Sequence, residues 1–262
     1  MTNKIYSKHI KVGELDIHYL TGGHGAPLVM LHGGSSHATS WMKNIVELSK
    51  NYTVYAPDLP GFGLSQEVED NYRISELVEF VNGFSNSLGL QGFYLMGHSF
   101  GGGIALNYTL KFPSKVKKLV LVSSMFLGKE IALWVRFLSL PALRRPIGAV
   151  ALAIMKGVKW IANLLLAPNK FVSPLSKASV SLGGKTTTLK EQTMVLANRL
   201  SEIMVPTLIV WGAKDPVLPV SQAYAAGKLI PNCQVKVFKD GGHSVHRQKM
   251  AEFSQLLTAF LG

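Results

Sequence analysis

Tyr94-Leu95-Met96-Gly97-His98-Ser99-Phe100-Gly101-Gly102 is the stretch on which the reading of this chain turns. The apolar run Phe93 to Met96 reads as a strand, and Gly101-Gly102-Gly103-Ile104-Ala105-Leu106 reads as a helix. Between them stands Gly-x-Ser-x-Gly, the pattern of a nucleophile elbow, in which a strand ends, the chain turns sharply and a helix begins. Gly97 and Gly101 leave out side chains where strand and helix must nearly touch. Ser99 is thereby set at the tip of the turn, its hydroxyl exposed, near a helix N-terminus that favours developing negative charge.

On the N-terminal side of the elbow, Lys8 to Tyr19 alternates around Gly13 and reads as an antiparallel hairpin. Pro27-Leu28-Val29-Met30-Leu31 is a continuous apolar strand running into His32-Gly33-Gly34. Ser40 or Thr39 is placed to cap a helix through Trp41, Ile45, Val46 and Leu48. Tyr52 to Ala56 is a further strand, ending in the turn-rich Pro57-Asp58-Leu59-Pro60-Gly61-Phe62-Gly63-Leu64-Ser65. Ile74 to Leu88 has helical spacing and closes at Gly89. Beyond the elbow, a helix stops before Pro113 and Val116 to Val122 is another buried strand. After a long insertion the pattern resumes: strand Thr207 to Trp211, helix Ser221 to Leu229, strand Gln234 to Phe238, then a helix from about Gln248 to Leu261. The expected class is α/β, a mostly parallel sheet of eight strands with helices on both faces. Ligands of such sheets sit at the carboxyl ends of the strands, where the His32-Gly33-Gly34 loop and Ser99 both emerge.

The alternation breaks between residues 125 and 200, where helical runs are interrupted by Pro141, Pro146, Pro168 and Pro174. The expected organisation is a core of residues 1–124 and 201–262 with 125–200 as a helical cap, or lid, over the strand ends. The insertion carries eleven Lys or Arg against two acids, so it holds nine of the twelve net positive charges. Its apolar stripe suits closure over an apolar pocket. Its basic amphipathic character can also hold it weakly at an anionic membrane surface. Charge without a supporting motif does not point to nucleic acid. Met1 to Lys11 lacks the apolar stretch of a secretory signal, and no run reaches the about 18 uncharged residues of a spanning helix. Cys233 is the only cysteine, which excludes an internal disulfide and suits a reducing compartment. A cytoplasmic protein is the expectation.

A serine hydroxyl needs a base within hydrogen-bond reach, and the base needs a carboxylate to fix its tautomer. Among eight histidines, His243 alone lies in a loop after a late strand, flanked by Gly241 and Gly242, which let it approach the elbow. His246 is expected to pack or face solvent, His98 to point away from Ser99, and His32 to brace its own loop. After residue 200 the acids are Glu202, Asp215, Asp240 and Glu252. Asp215 follows a strand directly, whereas Asp240 stands too near His243 in sequence to approach its ring from behind. No acid follows the Val116–Val122 strand before Glu130. The order Ser99, Asp215, His243 results.

At these residues the chain resembles the alpha/beta-hydrolase-fold superfamily, in its serine-nucleophile, capped, carboxylesterase-like group. Gly97-His98-Ser99-Phe100-Gly101-Gly102 resembles the family's nucleophile motif, and His32-Gly33-Gly34 with Trp41 its oxyanion loop. Asp58-Leu59-Pro60-Gly61-Phe62-Gly63-Leu64-Ser65 resembles the loop after its fourth strand. Trp211-Gly212-Ala213-Lys214-Asp215-Pro216-Val217 and Gly242-His243 resemble its acid and histidine blocks. The resemblance covers about residues 10–124 and 203–262. It implies Ser99 as nucleophile, His243 as general base then acid, Asp215 as its orienter, and the backbone N–H groups of Gly34 and Phe100 as oxyanion hole. His32, Gly33 and His98 would support them. It implies a small-molecule ester substrate and no cofactor or metal; the scattered histidines show no zinc-ligand spacing either.

Departures narrow the field. Dehalogenases and epoxide hydrolases of this fold place an aspartate where Ser99 stands. Carbon–carbon bond hydrolases carry a tryptophan where Ser244 follows His243, and proline iminopeptidases a tryptophan where Phe100 stands. The expected activity is hydrolysis of a carboxylic ester. Carbon–carbon hydrolase, lipase, lactonase and thioesterase chemistry stand beside it, and a receptor-like binder with little turnover is the alternative from another class.

Overall fold

The computed structural model of the chain describes residues 4–34, 36–68, 73–128 and 196–262. Most of the expected cap, residues 129–195, and with it the basic surface proposed to meet a membrane, lies outside the described residues.

Eight strands form one sheet. They are β1 (Ile5–Val12), β2 (Leu15–Gly22), β3 (Ala26–Leu31), β4 (Tyr52–Pro57), β5 (Phe93–His98), β6 (Val116–Val122), β7 (Thr207–Gly212) and β8 (Cys233–Phe238). Their spatial order is β1-β2-β4-β3-β5-β6-β7-β8. The β1–β2 hairpin is antiparallel and turns at Gly13, whose φ is 56°. β2 also runs antiparallel to β4, and every later pairing is parallel. Parallel neighbours need crossovers, and helices supply those that lie within the described residues. Among the described residues the α-helices are α1 (Met42–Leu48), α2 (Ile74–Ser87), α3 (Phe100–Lys111), α4 (Ser221–Leu229), α5 (Val245–Gln248) and α6 (Met250–Leu261).

Alternation along the central strands decides which helix covers which face. Val29, Leu31, Leu95, Leu119 and Leu121 point to one side, where α2 brings Leu77, Val81 and Phe84 and α3 brings Ile104 and Tyr108. Leu28, Met30, Met96 and Val120 point to the other, against Ile45 and Leu48 of α1 and Phe253 and Leu257 of α6. Side chains on both faces are fully buried, and each of this size contributes about 1.5–3 kcal/mol when withdrawn from water.

One local expectation is revised. Neither Thr39 nor Ser40 caps α1: a tight helical turn, Ala38–Trp41, precedes it, and no side chain there serves as a cap. The Ala38 N–H instead donates to the Asp58 carboxylate at 2.5 Å, so a residue from another loop satisfies the turn. The expected C-terminal helix is α6, and the single turn α5 precedes it, separated from it at Lys249. At the borders of the expected cap, the Leu196 N–H donates to the Phe126 carbonyl at 3.0 Å, and Phe126, Leu127, Leu196 and Leu200 pack into the core.

Candidate active site

β5 delivers Ser99 in a backbone conformation, φ 52° and ψ −114°, that non-glycine residues avoid. The strain persists because the surroundings over-determine it. The Ser99 N–H donates to the Val122 carbonyl at 2.9 Å, and the Ser99 carbonyl accepts from Met125 at 3.0 Å and Gly103 at 3.1 Å. The glycines of the elbow are steric necessities. A Cβ on Gly97 would stand 2.2 Å from the Gly101 carbonyl oxygen, and one on Gly101 would stand 2.4 Å from that of His32.

His243 comes from the loop after β8. The loop is drawn against β7, since a Cβ on Gly212 would meet the Gly241 carbonyl at 2.3 Å. The Lys214 N–H also donates to that carbonyl at 2.9 Å, which joins the acid loop to the histidine loop. His243 Nε2 lies 3.0 Å from Ser99 Oγ. His243 Nδ1 lies 2.9 Å from Asp215 Oδ2 and 3.1 Å from Oδ1. The Asp215 side chain is fully buried, and its Oδ1 accepts the N–H groups of Val217 at 2.8 Å and Leu218 at 3.0 Å. Burial alone would raise its pKa, but the His243 hydrogen bond and charge and these two N–H groups outweigh that and lower it. The group is therefore a carboxylate, which can only accept. His243 then carries its proton on Nδ1, and Nε2 is free to accept from the Ser99 hydroxyl.

The other sequence-derived candidates fall around this line. A Cβ on Gly34 would meet Phe100 Cβ at 3.7 Å, so the two backbones adjoin beside Ser99. Gly33 is closer still: a Cβ there would stand 2.8 Å from His98 Nδ1 and 3.3 Å from Ser99 Cβ. His32 is buried; its Nδ1–H donates to the Gly33 carbonyl at 2.8 Å and its Nε2 accepts the Leu59 N–H at 2.9 Å. Burial lowers its pKa, so the neutral ring locks its own loop to the loop after β4. Asp240, set aside on sequence grounds, pairs with Lys249 at 2.5 Å, and Glu202 pairs with Arg199 at 2.7 Å.

One relationship was missed by sequence reasoning. His98 Nε2–H donates to the His243 carbonyl at 2.9 Å, so its ring holds the loop that carries the histidine. Behind it His246 is buried, its ring 4.5 Å from that of His98 and 4.3 Å from that of Trp41. Burial, then the neighbouring His243, lowers the His98 pKa to about 3, and burial lowers that of His246 as well. Both rings are neutral. No spacing signal links residues 145 positions apart. The only clue was that His98 is a polar residue at the end of an otherwise apolar strand.

A family model described as alpha/beta hydrolase fold matches residues 26–148 and 155–249. A monoacylglycerol lipase of Xenopus laevis is 29% identical over 264 residues, spanning 91% of this chain and 76% of that protein. A 2-hydroxy-6-oxo-6-phenylhexa-2,4-dienoate hydrolase of Comamonas testosteroni is 28% identical, spanning 97% of this chain and 96% of that one. Among solved structures, a hydrolase of the latter name from Rhodococcus sp. strain RHA1 superposes with a TM-score of 0.77 at 22% identity, covering 99% of both chains.

Proposed function

Because the chain belongs to the alpha/beta hydrolase fold family, we propose that it is a serine hydrolase that cleaves a carboxylic ester through an acyl-enzyme on Ser99. The observation that carries this is the line Ser99 Oγ, His243 Nε2, His243 Nδ1, Asp215 Oδ2, with separations of 3.0 and 2.9 Å at its two joints. Ser99 Oγ attacks the carbonyl carbon as His243 Nε2 takes its proton. Asp215 stabilises the imidazolium without itself taking the proton. The oxyanion draws on the N–H groups of Gly34 and Phe100, each worth about 3 kcal/mol in the transition state. The imidazolium then protonates the leaving alkoxide, and a water deprotonated by His243 attacks the acyl carbon and frees the acid. Residues 125–200 act as a lid over this centre, and the substrate has an apolar acyl or alkyl part. The monoacylglycerol lipase among the relatives is consistent with ester chemistry.

A second reading, carbon–carbon bond hydrolysis, is favoured by the similarity to a hydrolase of that type along almost the full length of both chains. Ser244, where that group carries tryptophan, favours the ester. Turnover of p-nitrophenyl esters of increasing acyl length, with a ring-fission dienoate as the competing substrate, separates them. Faster hydrolysis of the esters is expected; preference for the dienoate would replace the first reading by the second.

A further inference from the structure

A second serine, histidine and aspartate stand in line at the β1–β2 edge of the sheet. Asp58 follows β4, and its side chain and that of His18 on β2 are each 3% exposed. Asp58 Oδ2 lies 2.7 Å from His18 Nδ1 and accepts the Leu64 N–H at 2.9 Å, while Oδ1 takes the Ala38 N–H. His18 is held at its backbone too: its N–H donates to Ser65 Oγ at 3.0 Å and its carbonyl accepts the Asp58 N–H at 2.9 Å. Ser7 Oγ, on the exposed outer strand β1, lies 2.8 Å from His18 Nε2. Burial alone would raise the Asp58 pKa, but hydrogen bonds from His18, Ala38 and Leu64 lower it, so it is a carboxylate. A carboxylate only accepts, which puts the His18 proton on Nδ1 and leaves Nε2 to accept from the Ser7 hydroxyl. The two joints, 2.8 and 2.7 Å, are slightly shorter than the 3.0 and 2.9 Å at Ser99.

We propose that Ser7 is a second nucleophile, activated by His18 and Asp58, that takes one acyl or phosphonyl group from an activated donor. Ser7 Oγ bonds to the carbonyl carbon or phosphorus as the leaving group departs with the bonding pair. His18 Nε2 receives the hydroxyl proton and passes it to the leaving group or to water. Ser7 lies within the regular strand β1 rather than at a strand-to-helix turn. A developing oxyanion there lacks the stabilisation available at the elbow, so donors with good leaving groups are required and the step is stoichiometric.

The test uses the full chain with Ser99→Ala, treated with a fluorophosphonate and digested for mass spectrometry. Ser75, exposed on α2, is the internal reference. Ser7 is expected to label at least about 100-fold faster than Ser75, the usual effect of a positioned general base. Adding His18→Asn, whose amide can still donate to Asp58 but offers no base to Ser7, should remove that advantage. Ser7→Ala should abolish the adduct on its peptide. Labelling of Ser7 no faster than Ser75, or unchanged by His18→Asn, would overturn the proposal.

Discussion

The side chain of His98 donates to the backbone carbonyl of His243 at 2.9 Å, across 145 positions of sequence. The residue before the serine of the elbow thus holds the loop that supplies the ring facing that serine. Burial and the neighbouring His243 keep His98 neutral, with a pKa of about 3, so its Nε2 remains a plain donor throughout the ordinary working range.

His98 is therefore a positioning residue. A displacement of about 1 Å in a reacting group can cost on the order of 100-fold in rate. His98→Ala should lower kcat by about 10- to 100-fold with little change in KM. His98→Gln, whose amide can place a donor near the same point, should recover most of the loss. Equal losses in both variants, or a loss confined to KM, would contradict the role.

Gly97 of the elbow and Gly89 after α2 separate two kinds of constraint. Gly97→Ala forces its Cβ to 2.2 Å from the Gly101 carbonyl, a contact between two backbones that cannot turn aside. Gly89→Ala has open space but must take φ of 70°. The first should destabilise by about 3 kcal/mol or more, the second by only about 1–2 kcal/mol. Urea titration of the two variants measures both.

Acid stability follows from the neutral histidines. His98 and His246 have pKa values lowered by burial, whereas in the unfolded chain a histidine takes a proton near pH 6.5. Between about 6.5 and the depressed folded values, the unfolded state binds more protons, so stability falls as pH falls. Asp58 and Asp215, both lowered, add to the loss only below about pH 4. The melting temperature should drop from pH 7.5 to pH 5, and less steeply in His98→Gln. An unaltered slope in that variant would contradict the buried-histidine origin.

Much of this arrangement was legible in the sequence, and the reasons are local. The continuous apolar run Leu28-Val29-Met30-Leu31 and the Gly-x-Ser-x-Gly turn announced strand, elbow and crossover helix. Asp215 could be singled out because it directly follows a strand of a parallel sheet, and His243 because it lies in a glycine-flanked loop after a late one, where the carboxyl ends converge. Hidden contacts are those between polar side chains that no periodicity connects. Asp58 reads as one residue of a turn-rich loop, yet it joins His18, Ala38 and Leu64. That is also why Thr39 and Ser40 looked like caps while the carboxylate took the Ala38 N–H. For the same reason His98 could be named as a supporting residue but not joined to its partner, the His243 carbonyl.

The Asp215 carboxylate fixes the His243 tautomer, so Asp215→Asn tests orientation apart from nucleophilicity. Asparagine can present its amide N–H to Nδ1, moving the proton to Nε2 and removing the acceptor from Ser99. A loss in kcat on the order of 10⁴ is expected, with the fold retained by circular dichroism. Asp240→Asn should change little, since Asp240 is exposed and paired with Lys249. A larger effect at Asp240 would reassign the acid.

The central claim, a covalent acyl group on Ser99, is tested most directly by rapid quench of the wild-type chain with p-nitrophenyl acetate. The account predicts a burst of about one p-nitrophenolate per chain, with an acetyl group mapped by mass spectrometry to the peptide containing Ser99. In Ser99→Ala the adduct on the Ser99 peptide should be absent, and release of p-nitrophenolate should fall to the slower, stoichiometric acylation of Ser7. Steady turnover by Ser99→Ala at the wild-type rate, or an acyl group carried in turnover by another residue, would contradict it.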